Sequence, residues 1–189
     1  VSLRVLEGRQ ETRELPVSIT LYQGLPKAEK MELIVQKAVE LGAAAIVPIE
    51  MHRSVVRLDE KKAAVKQKRW QAIAEAAAKQ AGRSVIPEVS LPLSFKEALR
   101  RVEAEGTELR LLPYERAAGM AATRDLIRSV KAGQRVAVMI GPEGGFEETE
   151  VEAAEAEGFH ALTLGKRILR TETAGLVMLS LVMAETEED

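Results

Sequence analysis

Apolar positions along the chain alternate between two patterns, a helical period and short unbroken runs. Met31, Ile34, Val35, Ala38 and Leu41 recur at helical spacing, and Gly42 is placed to end that helix. The continuous run 44–49 reads as a buried strand. A long, mostly polar helix is expected from Asp59 as N-cap to Gly82, with Val65, Ile73, Ala77 and Ala81 as its apolar face and Trp70 as an anchor to the sheet. Residues 85–89 are short and extended. Ser94 and Glu97 form a capping-box pattern that opens a helix running to about Glu105, with Gly106 as its stop. A strand at 109–112 ends at Pro113, a short helix covers 123–130, and the apolar stretch 135–140 is a further strand. A helix at 147–157 stops at Gly158, strand 160–164 follows, and a last helix starts near Thr173 with Leu176, Leu179 and Val182 inward.

This alternation predicts an α/β domain with a mostly parallel sheet flanked by helices on both faces. Residues 1–23 stand outside the alternation, although 17–21 could supply the first strand. The segment before that has too few apolar residues for a domain of its own. The expected division is a remnant at 1–20 and one domain at 21–189.

Nearly half of the 189 residues are apolar and 30% are charged, which is globular composition. The absence of cysteine removes disulfides, thiolate metal sites and cysteine nucleophiles. His52 and His160 lack metal-ligand spacing, so no metal is expected. No apolar run is long enough to span a membrane, and a cytoplasmic location is the default. A net charge of −2 argues against a broad nonspecific nucleic-acid surface. The basic segment 53–69 reads first as a solvated helix face.

Two glycine-bearing turns carry the chemistry. Gly141-Pro142-Glu143-Gly144-Gly145 follows the strand 135–140, and Gly165 opens a loop after the strand 160–164. Glycine lets backbone come close to a ligand, and two such turns at strand ends suggest one small-molecule site at the carboxyl edge of the sheet. Neither turn is a Walker A loop or a dinucleotide fingerprint, and Glu143 disfavours a phosphate ligand. On structural grounds alone, Thr171 or Thr173 would cap the last helix and Glu172 would complement its dipole.

Taken together, the segments 30–42, 53–56, 75–83, 140–146 and 164–174 resemble the bacterial 16S rRNA (uridine-N3) methyltransferase family of the SPOUT class. They lie in the family's order and span about 21–184. The resemblance implies a C-terminal trefoil knot, S-adenosylmethionine as methyl donor, 16S rRNA of the small subunit as substrate, and a homodimer that uses the last helix. It further implies a donor pocket lined by Leu112, Pro113, Gly141, Pro142, Glu143, Gly144, Gly145, Leu164, Gly165, Ile168, Leu169, Arg170, Thr171, Thr173 and Ala174. Family members begin with a small PUA-type β-barrel, of which 1–14 would be only the last strand and linker. For transfer to N3, Arg170 is expected to stabilise negative charge on a uracil carbonyl oxygen and Glu172 to be a candidate base. Arg53, Lys79 and Arg83 are expected to contact RNA. A tRNA ribose methyltransferase and a non-catalytic RNA-binding ribosome-assembly protein are the competing readings.

Overall fold

A computed structural model describes residues 13–117 and 119–187. The putting together of the sheet follows from its strands: β1 (Ser18–Gly24), β2 (Ala45–Glu50), β3 (Glu88–Val89), β4 (Leu93–Ser94), β5 (Leu109–Pro113), β6 (Arg135–Ile140) and β7 (His160–Leu162). All described pairings are parallel, in the order β3-β2-β1-β6-β5-β7, with β4 also on β2. The helices are α1 (Lys30–Glu40), α2 (Glu60–Ala81), α3 (Phe95–Ala104), α4 (Met120–Arg128), α5 (Glu148–Ala156) and α6 (Thr171–Thr186).

Alternate strand residues feed two cores, as a parallel sheet covered on both faces requires. Ile19, Leu21, Ile46, Val136, Val138 and Leu111 meet α1, α2 and α6 on one face. Tyr22, Val47, Ile49, Ala137, Met139 and Leu112 meet Ala98 and Val102 of α3 and Val151 and Ala154 of α5 on the other. Each fully buried aliphatic side chain contributes about 1.5–3 kcal/mol, so these two faces dominate the stability of the domain.

The expected α/β architecture holds, with local corrections. β1 is central, between β2 and β6, and begins at Ser18, so the expected boundary at 20/21 falls inside it. Val17, only 5% exposed, already belongs to the core. Most of the expected remnant, 1–12, lies outside the described residues. α2 has Asp59 as N-cap, its Oδ1 accepting from the Lys62 amide at 2.8 Å, and ends at Gly82. Its buried face is Trp70, Ala74, Ala77 and Ala78, while Val65 is 63% exposed. The stripe is set by Trp70, and Val65 lies about 140° away from it around the helix. Residues 85 and 86 are exposed and only Glu88–Val89 pairs as a strand. α4 starts at Met120, earlier than expected, and β7 stops at Leu162. α6 starts at Thr171 with Arg170 as N-cap and no side-chain capping bond, so neither Thr171 nor Thr173 is the cap.

Candidate active site

The loops that follow β5, β6 and β7 lie side by side because those strands are neighbours and parallel. Between them is a cleft of about 310 Å³ lined chiefly by 140–146, 168–171, Pro113, Glu115, Lys30 and Ala174. A second lobe of about 110 Å³ is lined by 163–169, Tyr114 and residues shared with the first, among them Pro113, Glu115 and Ile168. The two glycine-bearing stretches therefore converge on one ligand-sized space. Gly145 turns the chain in a left-handed conformation, with φ of 70°. Gly144 lies so close to Arg53 that an added Cβ would stand 2.8 Å from the arginine Cβ.

Three polar struts hold these turns. The first is buried: Gln23, at the end of β1, donates from Nε2 to Thr171 Oγ1 at 2.8 Å, and Thr171 donates to the Gly141 carbonyl at 2.6 Å. Gln23 is fully buried, and its Oε1 has no hydrogen-bond partner among the described residues. The second strut is Lys30 at the start of α1. Its Nζ lies 3.0 Å from Glu143 Oε1 and 3.3 Å from Glu172 Oε2. The Glu172 contact is an ion pair without hydrogen-bond alignment, since that buried oxygen has no bonded partner. The third is Arg53 in the loop after β2. It forks onto Glu147, at 2.8 and 3.1 Å, and donates to the Gly144 carbonyl at 3.0 Å. Glu150, 8% exposed, pins the same loops by accepting from the amides of His52 and Glu147, both at 2.9 Å.

Most of the expected donor residues line the two lobes: Pro113, Gly141 to Gly145, Leu164, Gly165, Ile168 to Thr171 and Ala174. Leu112 does not; it is fully buried in the core beneath, because the sheet alternation turns its side chain toward α3 and α5. Thr173 is exposed and lines neither lobe. Glu172 also lines neither lobe and faces Lys30, so its geometry is that of a paired carboxylate rather than a free base. Arg170 is exposed at the cleft, with no ion-pair partner among the described residues.

The three residues expected to contact RNA are not brought together. Arg83 has a side chain only 4% exposed, pairs with Glu14 and donates to the carbonyls of Val39 and Ala43. Ala43 precedes β2, so Arg83 sits at the amino edge of the sheet, away from the cleft. Lys79, one helical turn before, pairs with Glu75 at 2.9 Å. Arg53 is beside the cleft, but its guanidinium is committed to Glu147 and Gly144.

Sequence reasoning missed Gln23, Lys30, Glu115, Phe146, Tyr114, Lys166 and Arg167. Gln23 and Lys30 reach the site from elements far away in the chain, whereas Glu115 follows Pro113 by two residues in the loop after β5. Phe146 packs edge-on against Tyr114, with ring centroids 6.4 Å apart, and closes the base of the cleft.

The charge around the cleft is uneven. Burial raises the pKa of Glu143, but the Lys27 amide and the Lys30 ammonium outweigh it and hold the carboxyl below its ordinary value. Glu143 is therefore ionised yet already neutralised. Glu115 lines both lobes and has no ion-pair partner among the described residues, so it is the carboxylate available to a cationic ligand. The remainder of the lining is backbone and apolar side chain, which suits a neutral heterocycle. No group of three or more metal-ligating side chains, and no helix able to cross a membrane, occurs among the described residues.

Comparison with known proteins agrees with this geometry. A model of the RNA methyltransferase domain matches residues 13–183. Ribosomal RNA small subunit methyltransferase E of Bacillus subtilis is 40% identical over 99% of this chain and 73% of its own. The crystal structure of the methyltransferase E from Neisseria gonorrhoeae, bound to S-adenosylmethionine, is 35% identical, with a TM-score of 0.78 over 93% of this chain and 69% of its own. A SpoU methyltransferase from Streptomyces viridochromogenes, at 15% identity and a TM-score of 0.54 over 91% of this chain and 58% of its own, shares the fold alone. With a domain match across almost every described residue and such identity to a full-length relative, the chain belongs to the small-subunit ribosomal RNA methyltransferase E family.

Proposed function

We propose that the chain transfers a methyl group from S-adenosylmethionine to N3 of a uridine in 16S rRNA of the small ribosomal subunit. The observation that carries this reading is the convergence of 141–145 and 168–171 on one two-lobed cleft. The residues present fit the donor. Glycine backbone and Ile168 and Leu169 suit an adenosyl group, and Glu115 suits a positive charge. When bound, the donor supplies an electrophilic methyl on sulfonium, which leaves as a neutral thioether without metal assistance.

The chain's own residues have two tasks. One is alignment: the struts from Gln23, Lys30 and Arg53 fix the turns, so the cleft is formed before either reactant arrives. The other is charge. N3 of uracil is nucleophilic only as its proton passes to solvent, and the negative charge then spreads onto the carbonyl oxygens until the methyl group is transferred. Arg170, exposed at the rim and unpaired among the described residues, is proposed to stabilise that charge. Glu172, paired with Lys30, is proposed to hold α6 in place rather than accept the proton.

The trefoil knot, a homodimer through α6 and a cytoplasmic location belong to the same proposal. In support of the knot alone, α6 returns from the cleft to pack on β1, β6 and α1. The test has two arms. Calorimetry measures binding of S-adenosylmethionine, and mass spectrometry of 16S rRNA follows incubation with unmodified small subunits. Arg170→Ala is expected to lose methyl transfer and keep donor binding. Equal loss of both would move Arg170 to the donor pocket. A methylated ribose, or a donor that does not bind, would refute the proposed reaction.

A further inference from the structure

The described residues include many cations, some paired with carboxylates and others free but outside the lining of the cleft. In the basic segment after β2, Arg53 pairs with Glu147, Arg57 lies 4.0 Å from Glu50, Lys62 pairs with Asp59, and Arg69 pairs with Glu32. Lys61, Lys66 and Lys68 have no ion pair among the described residues but line neither lobe. Arg83 is buried and Lys79 is paired, both toward the amino edge. A cation already matched by a carboxylate offers little to a polyanion, because binding would first have to break the pair.

The loop between β7 and α6 differs in bringing unpaired cations to the cleft itself. Lys166, Arg167 and Arg170 lie within five residues, are exposed, and have no carboxylate in ion-pair reach among the described residues. This stretch is neither helix nor strand, and Ile168 within it is 85% exposed. It forms one wall of the second lobe, so RNA bound across it lies beside the cleft. Building on the proposed methyl transfer, we infer that Lys166 and Arg167 grip the phosphate backbone of the substrate RNA on either side of the target nucleotide. Arg170, nearest the first lobe, is left for the base itself.

The energetic signature of such contacts is salt dependence. Each neutralised phosphate releases condensed counterions, which contributes about 0.7 to the slope of log affinity against log salt for single-stranded RNA. Losing two contacts should flatten the slope by about 1.4. Between 50 and 200 mM salt, wild-type affinity should therefore fall about sevenfold more than that of the variant.

The experiment compares wild type with K166A/R167A, using small ribosomal subunits that lack the modification. Co-sedimentation across a salt series measures binding, methyl transfer is followed in parallel, and calorimetry with S-adenosylmethionine reports the state of the cleft. The expected result is a flatter slope with donor affinity retained. Lys79→Ala, in the same series, should keep the wild-type slope. An unchanged slope in the double variant would overturn the inference, as would a loss of donor affinity equal to the loss of subunit binding. Wild-type binding without methyl transfer would refute the reaction while leaving the loop's role standing, whereas no wild-type binding at all would refute both.

Discussion

Replacing Thr171 with valine removes one hydroxyl and keeps the shape of the side chain. That hydroxyl is 2.6 Å from the Gly141 carbonyl and 2.8 Å from Gln23 Nε2, at a residue 6% exposed. Its loss takes a donor from the Gly141 carbonyl and an acceptor from Gln23, whose Nε2 keeps only the Gly24 carbonyl at 3.0 Å. Leaving a buried polar group unsatisfied costs about 1–3 kcal/mol, so Thr171→Val should destabilise the fold by about 2–4 kcal/mol. For a domain of this size that lowers the melting temperature by roughly 5–15 °C. The same strut joins the two walls of the cleft, so affinity for S-adenosylmethionine should fall about tenfold, equivalent to about 1.4 kcal/mol. Thr171→Ser keeps the hydroxyl and should restore most of both. Gln23→Leu should cost clearly less in the Thr171→Val background than in wild type, since it then breaks no bond to residue 171. Thermal unfolding and calorimetry read all four variants. A valine variant that melts and binds like wild type, or strict additivity with Gln23→Leu, would refute the strut.

Three other outcomes can be checked directly. Gly144→Val should abolish donor binding while the fold persists, because the new Cβ displaces Arg53 from an exposed turn; a binding titration decides this. Glu143 has a lowered pKa, so its bridge to Lys30 is complete above the ordinary carboxylate value of 4.5 and is lost as pH falls through the lower folded value. Donor affinity should thus hold down to about pH 4.5 and decline only below it, and Glu143→Gln should lack that acid limb. Glu14→Gln should destabilise the domain by about 1–3 kcal/mol in thermal melts, because it removes the charge facing the buried Arg83 guanidinium.

What could be read from the sequence depended on where the information resides. The glycine turns were legible because their function is a backbone property encoded by the same residues that perform it. The strands β2, β5 and β6 were legible because parallel strands buried on both faces leave unbroken apolar runs. β1 was harder, since it follows a segment without pattern, although it is the centre of the sheet. The α2 face was misjudged because alanines carry little contrast, and Val65, the more apolar residue, points to solvent. Arg83 and Lys79 were placed with the RNA on the strength of resemblance alone. Which edge of the sheet a helix end reaches, and whether Glu14 is there to meet it, depends on tertiary packing. Gln23 and Lys30 illustrate the same limit from the other side. A glutamine ending an apolar strand and a lysine opening a helix are unremarkable until α6 comes back to meet them.

That return has a consequence for biosynthesis. The first turn of α6 supplies Arg170 carbonyl contacts and the Thr171 hydroxyl, while Met178, Leu179 and Val182, all fully buried, complete the larger core. Of the described elements it is the latest to be translated. A nascent chain halted before residue 171 would carry both glycine-bearing turns but lack the Thr171 hydroxyl that ties them to β1, so the cleft is fixed only once α6 has been made.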